Sequence, residues 1–174
     1  ISGERGSGTV FFCGCNLNCI FCQNYKINHS VMGIEADEET LCRIMLDLQH
    51  QGAHNINLVT PAPHVPLIAR TLPLARQAGL TIPVVYNTNA YENVQTLKML
   101  EGLIDIYLPD FKYVSAPLAK KYSDAEDYFD VAAKAIAEMY RQVGNIKLDE
   151  NGMAASGVLI RHMVLPGCVD DTRR

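Results

Sequence analysis

Apolar residues in this chain fall into two kinds of pattern. Five short, nearly continuous apolar runs read as buried strands: 9–12 (TVFF), 55–59 (NINLV), 82–86 (IPVVY), 104–108 (IDIYL) and 157–164 (GVLIRHMV). Between them the apolar positions recur at three and four. Leu41, Ile44, Met45 and Leu48 predict a helix over 38–51, with Asp37 as its N-cap, Glu38 and Glu39 in its first turn and Gly52 beyond its end. A second helix is predicted over 64–78, with Pro66 tolerable in the first turn and Pro73 a source of a kink. A third, short one covers 92–101, and a small helical piece lies around 117–122. The clearest pattern is 125–143, where Tyr128, Val131, Ala132, Ala135, Ile136, Met139, Tyr140 and Val143 repeat at three and four before Gly144. A hairpin is expected to turn at Asn151-Gly152, ahead of the fifth strand.

Strands alternating with helices predict βα units and a parallel sheet. The pattern alone leaves an open doubly wound sheet and a curved barrel equally available. In either, chemistry gathers at the C-terminal ends of the strands. The residues following each strand are therefore the ones to read for function.

The chain of 174 residues is one domain's worth, and its hydrophobic and charged contents of 48% and 20% are ordinary for a globular protein. A net charge of −4 without a basic cluster gives no electrostatic footprint for nucleic acid. No apolar stretch approaches the ~20 residues that span a bilayer, and no charged-then-apolar leader opens the chain, so a cytoplasmic protein is expected. The first residue is Ile1 and the last run, DDTRR, closely follows the fifth strand. The expectation is a fragment of a longer polypeptide.

Four cysteines crowd the loop after the first strand: Cys13, Cys15, Cys19 and Cys22. A structural zinc site closes with four ligands, often as two separated pairs, and no second Cys-x-x-Cys or His pair follows. Closely spaced thiolates from one loop are the usual holders of iron–sulfur clusters. Three of them leave one iron of a four-iron cluster open to a substrate or cofactor.

Cys15-x3-Cys19-x2-Cys22, with Phe21 before the last cysteine, resembles the signature of radical S-adenosylmethionine (SAM) enzymes. The wider stretch GTVFFCGCNLNCIFCQNY, together with VVYNTNAYE, DIYLPDFKY and LIRHMVLPG, resembles the pyruvate formate-lyase activating-enzyme-like branch over nearly the whole chain. The resemblance is closer to homologues of that activating enzyme than to the enzyme itself. It implies that Cys15, Cys19 and Cys22 ligate a [4Fe–4S] cluster while Cys13 does not, and that Phe21 packs near the adenine of SAM. The implied fold is α/β, a parallel (βα) partial barrel forming a single radical SAM core domain over 1–174, with a last βα unit beyond Arg174. The implied chemistry is SAM chelation to the open iron, reductive cleavage, and hydrogen abstraction from a substrate by a 5′-deoxyadenosyl radical. The substrate could be a glycine on a partner protein, and the electron donor a reductant such as flavodoxin or ferredoxin.

The other strand ends supply candidate SAM contacts. After the second strand, Thr60-Pro61 stands where the family has a Gly-Gly-Glu-type stretch, so the contact must come from the Thr60 hydroxyl or backbone carbonyls. His64, nearby, reads as a capping or surface histidine. After the third strand, Asn87, Thr88 and Asn89 suit ribose or carboxylate recognition, and turn chemistry explains them nearly as well. Asp110 and Lys112 prolong the face of Ile104, Ile106 and Leu108, where charges need partners, either each other or the two charged ends of SAM. Arg161 lies inside an apolar run, and a guanidinium buried there calls for an anion. The resemblance implies the SAM carboxylate, and Asp110 is the competing partner. Two rival readings stand beside this one: a non-catalytic zinc or electron-transfer module, and a radical SAM enzyme acting on a peptide or small metabolite.

Overall fold

Strand and helix alternate in the order the apolar pattern predicts. The computed structural model describes residues 1–29 and 32–174. In chain order the elements are β1 (Gly8–Phe11), α1 (Tyr25–His29), α2 (Glu38–His50), β2 (Ile56–Val59), a 3-10 turn (Ala62–His64), α3 (Val65–Gln77), β3 (Val84–Thr88) and α4 (Val94–Lys98). They continue with β4 (Ile106–Phe111), α5 (Ala116–Ser123), α6 (Tyr128–Val143), β5 (Lys147–Leu148), β6 (Ala154–Val158), β7 (Arg161–His162) and α7 (Val169–Thr172). Asp37 caps α2 as expected, its carboxylate accepting from the Thr40 N–H at 2.8 Å. Pro66 sits in the first turn of α3, which runs on through Pro73 as one helix.

The sheet order is β1-β2-β3-β4-β6-β5, with β7 also on β4, and every pairing is parallel except β5 with β6. One face of the sheet packs against helices: Ile56, Leu58, Val84, Tyr86 and Tyr107 meet Leu41, Met45, Ile68, Leu72, Ala135 and Met139. The other face carries Val85, Ile106 and Leu108, joined by Ile1 and Ala154. Strand alternation continues that second face to Asn87 and Asp110 at the C-terminal ends. Register places Asn87 opposite Leu108 and Asp110 opposite Arg161.

The fifth apolar run differs from expectation. It is two short strands, β6 and β7, and the Asn151-Gly152 hairpin delivers the chain into β6 at Ala154. Both pair with β4 at one unchanged register, Gly157 with Ile106 and Arg161 with Asp110. The Leu159 N–H reaches the Tyr107 carbonyl at 2.9 Å, and the next bond of a parallel ladder would come from residue 109. That residue is Pro109, which has no N–H to give. Gly157, at φ +113°, is needed for a different reason: a Cβ there would meet the Asn145 carbonyl at 2.3 Å.

The C-terminal ends of β3 and β4 are tied together by one buried side chain from the start of α6. The Tyr128 hydroxyl lies 2.8 Å from both the Asn89 and Asp110 carbonyls, which share its proton, and accepts from the Lys112 N–H at 3.2 Å. Its ring stacks on Tyr91 and meets Tyr113 edge-on. Burial raises its pKa, so the hydroxyl keeps its proton. At the other side of this rim, Asp171 of α7 accepts from the N–H groups of Val114 and Ser115 at 3.0 and 2.8 Å, clamping the entry to α5. Among the described residues no helix is long and apolar enough to cross a membrane.

Tyr128→Phe keeps the ring contacts and removes the hydroxyl, leaving buried backbone groups unpaired. It is expected to cost about 1–3 kcal/mol, read as a lowered midpoint in denaturant unfolding. Tyr140→Phe, on the exposed face of the same helix, should leave that midpoint unmoved.

Candidate functional site

The loop after β1 carries Cys15, Cys19 and Cys22 to the rim where the parallel strands end. Its backbone is pinned to the end of α5, with the Asn18 N–H on the Ser123 carbonyl at 3.2 Å and the Ile20 N–H on the Tyr122 carbonyl at 3.0 Å. Leu17 anchors it in a small apolar cluster with Tyr113, Ala119 and Tyr128, and Phe21 packs against the same cluster. All three thiols are free and partly buried. Each has a side-chain hydrogen-bond partner: Asn89 Nδ2 on Cys15 at 3.4 Å, Ser123 Oγ on Cys19 at 3.0 Å and Asn28 Nδ2 on Cys22 at 3.3 Å. Burial pushes the Cys19 thiol up, opposed by the Ser123 hydrogen bond and the Lys112 charge.

Cys13 has other neighbours. Its sulfur lies against Gly33, where a Cβ would approach within 2.7 Å, and its carbonyl meets His64 Nε2 at 2.8 Å. His64 also stacks on Phe12. Both residues therefore have structural partners. Cys42 packs on the main core, and Cys168 stands at the N-terminus of α7.

The donor set suits an iron–sulfur cluster. Three thiols from one loop, each with a hydrogen-bond partner and one near a cation, can carry the charge a cluster brings. Among the described residues no three His, Cys, Asp or Glu side chains converge as the ligands of a single ion would. A four-iron cluster instead takes each thiolate on its own iron.

The predicted SAM contacts form a connected rim beside the cysteine loop. Arg161 Nε meets Asp110 Oδ1 and Nη2 meets Asn87 Oδ1, each at 2.8 Å, while Lys112 Nζ meets Asp110 Oδ2 at 2.6 Å. The Thr60 N–H donates to the Asn87 carbonyl at 3.1 Å. Asn89 bridges to the cysteine loop, its Nδ2 also reaching Asn16 Oδ1 at 2.8 Å. Thr60 holds φ at +57°, a left-handed conformation that is unusual for a β-branched residue and costs of order 1–3 kcal/mol.

Two expectations change in detail. Arg161 is not a buried guanidinium, because its side chain is 48% exposed at the open end of β7, where the sheet beyond Pro109 is a two-residue pair. Lys112 is the buried charge of the group, at 8% exposure, and it pairs with Asp110. Thr88 stands apart from the rim: it shares the helix-side face with Tyr86, and both hydroxyls donate to the buried Glu92. Burial raises the Glu92 pKa despite those bonds. Strand alternation carries this signal, since Thr88 is out of phase with Asn87. Tyr128, Ser123 and Asn28 were not singled out from the sequence; Tyr128 reads there as one more apolar position of a helix.

The alternating fold and the cysteine-bearing rim define a class of protein. Residues 9–173 match the radical SAM superfamily, and the chain belongs to it. Members use a [4Fe–4S] cluster and SAM, and the sheet is a partial (βα) barrel of that type. The chain is 31% identical over 173 residues to uncharacterized protein MJ0674 of Methanocaldococcus jannaschii, covering 94% of this chain and 46% of that protein. It is similar in structure to methylornithine synthase (PylB), with a TM-score of 0.62 and 15% identity over 95% of this chain and 47% of that one. It thus spans about half the length of either.

Replacing Cys15, Cys19 or Cys22 by Ala should each abolish the brown iron–sulfur absorption of reconstituted protein, whereas Cys13→Ala should retain it. Loss in Cys13→Ala with retention in Cys15→Ala would reverse the assignment. Arg161→Met breaks only an exposed pair, so its thermal unfolding should show a stability change of about 0–1 kcal/mol; a larger loss would make Arg161 a structural partner of Asp110.

Proposed function

We propose that this chain is the cluster- and SAM-binding core of a radical SAM enzyme that abstracts hydrogen from a protein or peptide substrate. The observation that carries the proposal is the meeting of two groups at one rim: three free thiols on one loop, and the Asn87–Arg161–Asp110–Lys112 network beside them. The cluster, when bound, supplies the electron for reductive cleavage of SAM. The protein's own residues bind and orient.

Cys15, Cys19 and Cys22 hold three irons. Arg161 offers a carboxylate the fork of N–H donors it now turns toward Asp110 and Asn87, and two of its five are engaged in those bonds. Asp110 suits an ammonium or ribose hydroxyl, Lys112 neutralises Asp110 from the buried side, and the Asn87 amide completes the polar floor. Thr60, with its left-handed backbone, turns the chain at the end of β2. Phe21 and the apolar cluster behind it form a wall on which an adenine can lie.

The activating-enzyme-like branch, with a glycine on a partner protein as hydrogen donor, is the finer reading supported by the resemblance of GTVFFCGCNLNCIFCQNY, VVYNTNAYE, DIYLPDFKY and LIRHMVLPG. Free thiols at all six cysteines suit a reducing, cytoplasmic setting with a flavodoxin- or ferredoxin-type electron donor.

Anaerobic incubation of the reconstituted full-length protein with SAM and a low-potential reductant should release 5′-deoxyadenosine. A cluster-loaded, reducible protein that leaves SAM intact would contradict the proposal. Arg161→Met should retain the cluster and weaken SAM binding by about 1.5–3 kcal/mol, the range for a hydrogen bond to a charged group, measured by titration. Unchanged affinity would remove Arg161 from the site.

A further inference from the structure

Cys15, Cys19 and Cys22 are each hydrogen-bonded by a side chain from a different part of the fold. Asn28, on α1, points Nδ2 at Cys22. Asn89, just past β3, points Nδ2 at Cys15 across 74 residues of sequence. Ser123, the last residue of α5, lies against Cys19 across 104 residues. Two of the three side chains are constrained by further bonds. Asn89 Oδ1 accepts from the Tyr91 N–H at 2.8 Å, which fixes the amide with its N–H₂ toward the sulfur. The Ser123 hydroxyl is almost wholly buried and sits 2.8 Å from the Tyr113 hydroxyl. If Tyr113 donates to Ser123, the Ser123 proton is left for Cys19. Among the described residues the Asn28 carbonyl oxygen is buried without a partner, so the Cys22 contact is the hydrogen bond its side chain makes there.

We propose that Asn28, Asn89 and Ser123 are a hydrogen-bonding shell that sets the reduction potential of the cluster, one donor for each ligating cysteine. The physical reason is charge. Reduction adds one electron to the cluster, and that negative charge is spread over iron and sulfur. N–H and O–H dipoles aimed at the thiolates stabilise the reduced form more than the oxidised form, so each donor raises the midpoint potential. Partial burial makes each dipole count for more than it would in water. Asn89 is then a positioning and tuning residue for the cluster, through Cys15, rather than a contact to SAM. The proposal rests on Cys15, Cys19 and Cys22 being the cluster ligands.

The test is an anaerobic redox titration of cluster-loaded protein without SAM, followed by electron paramagnetic resonance. Asn89→Leu, Ser123→Ala and Asn28→Leu should each lower the midpoint. At the wild-type midpoint each variant should hold about three- to tenfold less reduced relative to oxidised cluster, tenfold being 59 mV for a one-electron couple. Ser123→Thr keeps the hydroxyl and should restore the wild-type value. Unmoved midpoints in cluster-loaded variants would overturn the proposal. A wild-type chain that takes up no cluster would overturn the ligand assignment beneath it, and the two failures are thus distinct. If the variants do not load, wild-type protein labelled with ¹⁵N at the asparagine amides decides: a ¹⁵N hyperfine coupling to the reduced cluster supports the shell, and its absence overturns it.

Discussion

The hydroxyl of Tyr128 is the contact on which the rim depends. Parallel strands β3 and β4 pair only as far as Thr88 and Pro109, and beyond that point β3 ends while β4 goes on to pair with β7. Buried backbone groups there need a partner. A single phenol from α6 serves the Asn89 and Asp110 carbonyls and the Lys112 N–H together. It thereby fixes the spacing between Asn89, which reaches the cysteine loop, and Asp110, which holds Arg161 and Lys112. The cluster side and the charged side of the site share this one fixed point. Around it the aromatic rings of Tyr91, Tyr113 and Tyr128 fill the space beneath the cysteine loop.

The charged side contributes little to stability at its outer edge. Arg161 is half exposed, and Asp110 and Asn87 satisfy it with two hydrogen bonds. An exposed pair of this kind contributes little to folding. On the proposed function, a carboxylate entering the mouth takes over the guanidinium at small cost. Lys112, buried on the other side of Asp110, gives that carboxylate a second partner independent of Arg161.

Local features were the legible ones. Asp37 as a cap, the helical pattern of α2 and α6, and the alternation of strands with helices follow from spacing within a few residues, and the cysteine loop is legible for the same reason. Features that depend on a neighbouring strand or a distant helix were not. Arg161 sits in an apolar run, yet Pro109 on the adjacent strand lacks the N–H that would continue the pairing, and the end of the run opens to solvent. Thr60 adopts a left-handed backbone that its β-branched side chain argues against. Ser123 and Tyr128 look like ordinary helix positions, because their partners lie 104 residues away at Cys19 and 39 residues away at Asn89. Thr88 was grouped with Asn87 and Asn89 by adjacency, although alternation separates them.

The central claim is that Cys15, Cys19 and Cys22 would hold a four-iron cluster and leave one iron for SAM, with Asn87, Asp110 and Arg161 as the residues that would orient it. Mössbauer spectroscopy of ⁵⁷Fe-reconstituted protein, recorded before and after addition of SAM, tests it most directly. One iron in four should change its isomer shift on adding SAM, and Arg161→Met should require more SAM for the same change. Four irons whose spectrum is indifferent to saturating SAM, or a protein that binds zinc and no iron, would contradict it.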